Sequence, residues 1–395
     1  MPPFRIVMLL TDAYGGFGGI SKFNQDFLRA LDACPMVERI HAIPRLIGTP
    51  LEGQRLPESI VYDRQAAEGK VAFLKSVWVH RWRADRVNLV ICGHIHLLSA
   101  AWIFARTHDL SLALIIHGIE AWRPTPHKVA NRLAAKVDSV IAVSRFSAAR
   151  FASWSGFSAD SAFVLPNCVD LNRFRPQPRD PILVKRYGLA SSRVIMTTGR
   201  LESKERYKGF DEVIIAMPRL ITRFPALKYV IVGDGSDRAR LETLVRSLGL
   251  SEHVIFTGRV PESEKVAHYN LADVYAMPSA GEGFGIVLIE AAACGVPVIG
   301  SLADGSQEAL LGGRLGRLID PRDCDALVQA VTETLEAFTR GRNPLIEHFG
   351  ERRFQERVAT WLEEQARAIA SRSKQPGPSQ QRLKEAGALL DYSES

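Results

Sequence analysis

The chain of 395 residues is poor in cysteine and has no long apolar run. Cys34, Cys92, Cys168, Cys294 and Cys324 stand far apart, form no CxxC pair and are odd in number. That argues against a disulfide framework and against a zinc site, and they read as small buried hydrophobes. No stretch of about 18 apolar residues occurs, so no transmembrane helix is expected. The first apolar run, FRIVMLL (4–10), is too short for a signal peptide and lacks both a preceding basic region and a cleavage site of small residues. It reads as a first β-strand, and the protein is expected in the cytoplasm. No basic run with interleaved aromatics appears, so no nucleic-acid partner is expected. Glycine and proline spread throughout the chain disfavour a coiled coil, and 46% hydrophobic residues exclude a disordered one.

What is present is a mildly basic chain, of net charge +7, which suits anionic ligands or an anionic membrane face. Short runs rich in β-branched residues alternate with helical stretches. In the first half they are FRIVMLL, ERIHAIP (38–44), NLVICGH (88–94), LALIIHG (112–118), DSVIAVS (138–144) and SAFVLPN (161–167). A second series has RVIMTTG (193–199), KYVIVGD (228–234), HVIFTG (253–258), DVYAMPS (273–279), VPVIG (296–300) and LGRLID (315–320). Strands alternating with helices give parallel sheets buried on both faces. The expected fold is α/β, with two tandem Rossmann-like, doubly wound domains facing across a cleft. Residues 1–170 form the first domain, the proline-rich segment 171–190 a linker, and 191–345 the second domain. Residues 346–372 read as a charged helix packing back toward the first domain, and 373–395 as a mobile tail with a weak helix at 381–390.

In open α/β sheets ligands bind at the carboxyl ends of the strands, so the loops there should hold the chemistry. The densest signal is SAGEGFGIVLIEAAACGVPVIG (279–300), a strand, a glycine-rich loop and a helix. Gly283 and Gly285 let backbone approach a ligand, and the new helix offers free N–H groups to a phosphate or to sugar hydroxyls. Glu290 lies far enough along to meet a ribose, and Glu282 can serve a hexose in the same way. The plain alternative is a glycine turn flanked by two surface glutamates. In TTGRLESKERYKGF, Arg200 follows a strand and Lys208 precedes a helix, a pair of cations that suits a diphosphate. GDGS (233–236) is a weak strand–helix turn signal, and the backbone at Arg259 and Val260 can frame a nucleobase. Near the start, Gly15, Gly16, Gly18 and Gly19 precede a helix with Phe23, Phe27 and Leu31 on one face; G-G-F-G-G is not GxGxxG. Asp320, Asp323 and Asp325 flank a proline turn and read as a helix start, not as a metal site.

Taken together, GRL…KG, VGDG, F-x-G-x-V and EGFG-x-x-x-x-E-A-x-A-x-G-x-P-V resemble the retaining glycosyltransferases of family 4, which have the GT-B fold. The resemblance spans about residues 4–370 and is densest from 195 to 310. It implies that Arg200 and Lys208 hold a diphosphate and Glu290 the ribose. Glu282, with the backbone of Gly283, Phe284, Gly285 and Ile286, would hold the donor sugar. It also implies that His117, after the LALIIHG strand, lies beside that sugar, so that His117, Arg200, Lys208 and Glu282 form the catalytic set. Glu120 is a candidate for an acceptor hydroxyl. Ser144, Asn167 and Asp170 match family segments near the cleft. Cys168 stands where the family commonly has glycine, a departure of little weight if φ is negative there.

The implied reaction moves a hexose from a GDP- or UDP-sugar, GDP-mannose among them, to a glycan or lipid-linked acceptor of the first domain. Anomeric configuration is retained, and no metal and no cofactor beyond the donor take part. Such a step belongs to surface-polysaccharide or glycolipid synthesis. The segment 70–86 carries Val71, Leu74, Trp78 and Trp82 at helical spacing beside Lys75, Arg81, Arg83 and Arg86. It either packs on the first sheet or docks on the anionic inner face of the plasma membrane, and the two are compatible. The rival functions are another enzyme on this architecture, such as a nucleotide-sugar epimerase or a sugar phosphorylase, and a non-catalytic sugar-nucleotide or glycan-binding protein.

Overall fold

The structure is a computed structural model that describes residues 3–49, 56–82, 87–337 and 339–373. The expected tail beyond residue 373, with its helix at 381–390, lies outside the described residues. So do residues 83–86 and the side chains of residues 80–82.

Thirteen strands are seen among the described residues. Seven form the first sheet: β1 (Phe4–Leu10), β2 (Val37–Pro44), β3 (Ile60–Tyr62), β4 (Leu89–Cys92), β5 (Ser111–Ile116), β6 (Ser139–Ala142) and β7 (Phe163–Val164). Six form the second: β8 (Val194–Thr198), β9 (Lys228–Val232), β10 (Val254–Gly258), β11 (Val274–Ala276), β12 (Val298–Ser301) and β13 (Arg317–Ile319). Their spatial orders are β3-β2-β1-β4-β5-β6-β7 and β10-β9-β8-β11-β12-β13, with parallel pairing throughout. Both are Rossmann-like, as the GT-B expectation required. Central strands such as LVIC and SLALII are buried at every residue, because helices cover both faces. The short edge strand β3 was missed, since three residues carry no readable period.

The helices follow their stripes. Gly19–Asp32 buries Phe23, Phe27 and Leu31. Cys324–Glu336 starts on Asp323, whose side chain accepts from the N–H of Ala326, which accounts for the aspartates near the proline turn. The segment expected to be a plain linker differs. It contains the helix Pro181–Tyr187, capped by Asp180, and buries Phe174, Leu183 and Leu189. Proline at the first helical position starts a helix as readily as it breaks one, which the proline-rich reading overlooked.

Lys70–Trp82 is helical, but the packed face is not the one singled out from the spacing. Phe73, Ser76 and Val77 are buried, while Val71, Leu74, Trp78 and Val79 are exposed. Two stripes at helical spacing exist on this helix, and only the position of the sheet selects between them.

The helix Glu351–Ser373 crosses from the second domain to the first. Phe354 meets Phe23 edge-on at 5.8 Å, and Trp361 packs on Phe27 at 5.9 Å. The Trp361 indole N–H donates to Ser139 Oγ at 3.3 Å, and Arg372 pairs with Asp138. Where the chain crosses between domains, the Val169 N–H donates to the Phe349 carbonyl at 2.9 Å. One apolar core runs through the junction and joins residues of both domains, among them Phe27, Tyr275, Phe284, Phe349 and Trp361. Cys168 lies in this junction. Asp109 and Leu311 are the non-glycine residues with positive φ among those described, so a cysteine fits there without strain.

Trp361 is fully buried. Trp361→Ala should cost about 3–5 kcal/mol in the denaturant unfolding of the first domain, through lost burial and the cavity left behind. A loss below about 1 kcal/mol would mean that the crossing helix is not part of that domain's core.

Candidate functional site

Strand order reverses between β1 and β4 in the first sheet and between β8 and β11 in the second. At each reversal the loops leaving neighbouring strands part and open a crevice at the carboxyl edge. Gly15 to Gly19 follow β1, Arg200 and Lys208 follow β8, and Glu282 to Ile286 follow β11, all at these reversals, while His117 follows β5 and Arg259 and Val260 follow β10.

In the second domain, Lys208 and Glu282 come together, with Lys208 Nζ 2.7 Å from Glu282 Oε1. Glu205 lies 3.6 Å from the same ammonium and also pairs with Arg200. Burial alone lowers the Lys208 pKa, but Glu282, Tyr207 and Glu205 more than offset that, and it stands above its ordinary value. Lys208 is therefore charged, and it and Arg200 are both matched by carboxylates. The Glu282 loop is held from behind by the buried Asp304. Its Oδ2 accepts from Ser279 Oγ at 2.6 Å and from the Glu282 N–H at 2.8 Å. Gly285, with φ of 90°, starts the helix Ile286–Ala293, whose first N–H groups have no side-chain cap. Phe284 is buried against Phe349, with ring centres 5.5 Å apart.

Glu290 does not join this group. It is buried, with Oε1 at 2.8 Å from Lys265 Nζ and Oε2 at 2.7 Å from the Tyr269 hydroxyl. Lys265 and Tyr269 were missed because PESEKVAHY carries no motif, and only folding brings them under the helix. The side chain of Arg259, read earlier for its backbone alone, lies over the Phe17 ring at 3.6 Å from its centre. Val260 is half-buried against the core.

In the first domain, His117 Nε2 lies 2.9 Å from the Gly93 carbonyl. A carbonyl only accepts, so Nε2 carries the proton and Nδ1 the lone pair. Burial, partly opposed by that bond, pushes the His117 pKa down to about 4. Glu120 Oε1 accepts from the N–H groups of His117 and Gly118, at 2.6 and 3.0 Å, and so shapes this loop. His94, also pushed down to about 4, mainly by burial, follows β4 and packs against His96 with the rings tilted and their centres 4.7 Å apart. Gly15, Gly16 and Gly18 form the loop before the Gly19 helix. A Cβ at Gly16 would fall 2.3 Å from Asp12 Oδ2, a carboxylate the sequence reading missed. Burial raises the Asp12 pKa, opposed by its hydrogen bonds to Thr11 and Phe17 and by the charge of Arg200 across the crevice.

The two halves touch. A Cβ at Gly283 would lie 1.9 Å from the His117 carbonyl oxygen, so only glycine allows this approach. The Gly283 carbonyl accepts from Ser144 Oγ at 2.6 Å and from Ser147 Oγ at 3.3 Å. A Cβ at Gly19 would be 3.9 Å from Ile286, so the starts of two helices meet at the cleft. Asp170 caps the turn at Asn172 and Arg173, and Asn167 is buried.

The family model for "Glycosyl transferases group 1" matches residues 185–347, and that for "Glycosyltransferase Family 4" matches residues 17–173. A GDP-mannose-dependent alpha-(1-6)-phosphatidylinositol monomannoside mannosyltransferase of Mycolicibacterium smegmatis is 40% identical over 230 residues, 55% of this chain and 59% of that protein. The chain thus spans less than two thirds of that relative's length. A protein of the same name from Mycobacterium tuberculosis is 38% identical over 270 residues, 66% of this chain and 67% of that protein. The solved structure of Anabaena Alr3699/HepE in complex with UDP has a TM-score of 0.74 at 22% identity, covering 91% of this chain and 100% of that one.

The buried imidazoles set a pH dependence. His94 and His117 are uncharged in the fold, each at about 4, and take up a proton at about 6.5 in the unfolded chain. Their share of stability is full above about pH 6.5 and is lost as pH falls from there toward about 4. Denaturant midpoints at about pH 7.5 and about pH 5 should show this drop, and His117→Gln should lessen it. A drop of the same size in that variant would count against a buried neutral His117.

Proposed function

The chain belongs to the family 4 glycosyltransferases, and on that premise we propose that it moves a hexose from a nucleotide-diphosphate sugar to a lipid-linked or glycan acceptor. GDP-mannose is the first donor to test and UDP-sugars the second. The names of the mycobacterial relatives support a GDP-mannose donor and a glycolipid acceptor. The observation that carries the reading is the Lys208–Glu282 pair beside the uncapped start of the Ile286 helix, facing the His117 loop.

Without a donor, the carboxylates of Glu205 and Glu282 balance Lys208 and Arg200. In the proposed complex a diphosphate takes their place beside the cations and meets the helix N–H groups. Glu282 is then free to accept from the sugar hydroxyls. The acceptor hydroxyl attacks the anomeric carbon on the face from which the diphosphate leaves. The bond from that carbon to the phosphate oxygen breaks, and the leaving phosphate takes the acceptor's proton. Configuration is retained. Lys208, Arg200 and the helix start meet the growing negative charge, and no metal or cofactor is called on. His117, neutral with Nδ1 free, serves the donor sugar's hydroxyls as an acceptor. Closure of the cleft excludes water.

A lipid-linked acceptor calls for a membrane face. The exposed Val71, Leu74, Trp78 and Val79, beside Lys70 and Lys75, supply one on the first domain. No described helix is long and apolar enough to cross a membrane.

Thermal shift against GDP- and UDP-sugars should show stabilisation by one class, because a donor binds only the folded chain. Lys208→Ala should lower transfer by about 100-fold or more with the fold intact. In the proposed complex Glu290, held by Lys265 and Tyr269, accepts in addition from the ribose, so Glu290→Gln should weaken donor binding by about tenfold. Full transfer in the first variant, or unchanged donor affinity in the second, would overturn the site.

A further inference from the structure

A further contact across the cleft is made by a side chain given no role above. Glu308 lies in the short turn Ser306–Ala309 after β12. Its Oε2 accepts from the Arg145 N–H at 2.8 Å and its Oε1 from the Phe146 N–H at 2.9 Å. Arg145 and Phe146 open the first-domain helix Arg145–Ser155, where the earliest N–H groups have no partner within the helix. A carboxylate suits that positive end, and this one comes from the other domain.

The two ends of the Glu308 segment are tied to opposite sides of the cleft. At its start, Asp304 holds Ser279 and the Glu282 N–H, and the Gly305 N–H donates to the Glu282 carbonyl at 2.9 Å. At its far end, Glu308 holds the helix whose N-cap, Ser144, donates to the Gly283 carbonyl. Five residues, 304–308, therefore tie the Glu282 loop to the facing domain. We propose that Glu308 is a positioning residue. It latches the cleft shut and sets His117 and the acceptor side against the donor loop, without touching substrate. This inference rests on the transferase reading above. The latch is reversible by construction, since in an open cleft both the carboxylate and the helix N–H groups pass to water.

The full chain and its Glu308→Ala and Glu308→Gln variants would be compared in three measurements. These are GDP and UDP binding by calorimetry, radius of gyration by small-angle scattering with and without nucleotide, and transfer kinetics. The expected result for Glu308→Ala is unchanged nucleotide affinity, a larger radius of gyration than wild type, and kcat lower by about tenfold or more, the order of one charge-assisted contact. Glu308→Gln, which keeps one acceptor oxygen, should fall between. Wild-type scattering and kcat in Glu308→Ala would overturn the latch. So would loss of nucleotide affinity together with activity, since that would make Glu308 a prop of the donor loop. A wild-type chain that binds neither nucleotide would overturn the transferase reading, while the scattering comparison would still decide the latch.

Discussion

Everything at the cleft depends on one contact between two backbones, where Gly283 meets the carbonyl of His117 with no room for a single carbon between them. The approach is possible because each loop leaves the carboxyl end of a fully buried strand and is braced from behind. Asp304 holds the Gly283 loop, and Glu120 holds the His117 loop through two N–H groups. Rigid sheets set the distance, and the hydroxyls of Ser144 and Ser147 satisfy the Gly283 carbonyl that the approach would otherwise strand. The C-terminal helix supports this arrangement by carrying second-domain chain back onto the first domain through Trp361.

The electrostatics follow from the same geometry. The Lys208 ammonium, largely withdrawn from water, needs partners, which Glu205 and Glu282 supply, while the more exposed Arg200 guanidinium pairs with Glu205. In the proposed complex a diphosphate in place of those carboxylates keeps the charge balanced and frees Glu282. On the facing side, burial keeps His117 and His94 neutral, so that side of the cleft offers hydrogen bonds rather than charge. Two carboxylates, Glu120 and Glu308, act on backbone N–H groups, one within a loop and one across the cleft.

Much of this was legible in the sequence. The strand runs ending in glycine, serine, proline or asparagine marked two α/β series, because a strand buried on both faces must be apolar at nearly every residue. The glycine-rich turn into IVLIEAAA marked a helix start at the cleft. Other features were legible only in part. Lys70–Trp82 offers two stripes at helical spacing, and the more aromatic one faces solvent. The 171–190 segment hid a helix behind its prolines. Glu282 and Glu290 look like a pair eight residues apart, yet they face different partners.

By itself the sequence determined the alternation of strands and helices, the two-domain division and the types of residue at each loop, because these depend on local period and local turn chemistry. It also carried the family motifs. Only the tertiary structure decided which loops meet and which carboxylate answers which cation. It alone joined Arg259 to Phe17 and Glu308 to the Arg145 helix, contacts made between residues more than a hundred positions apart. No local pattern records such contacts. They arise when two independently formed sheets bring their carboxyl edges together, and the distance between those edges is set by the packing of the whole core.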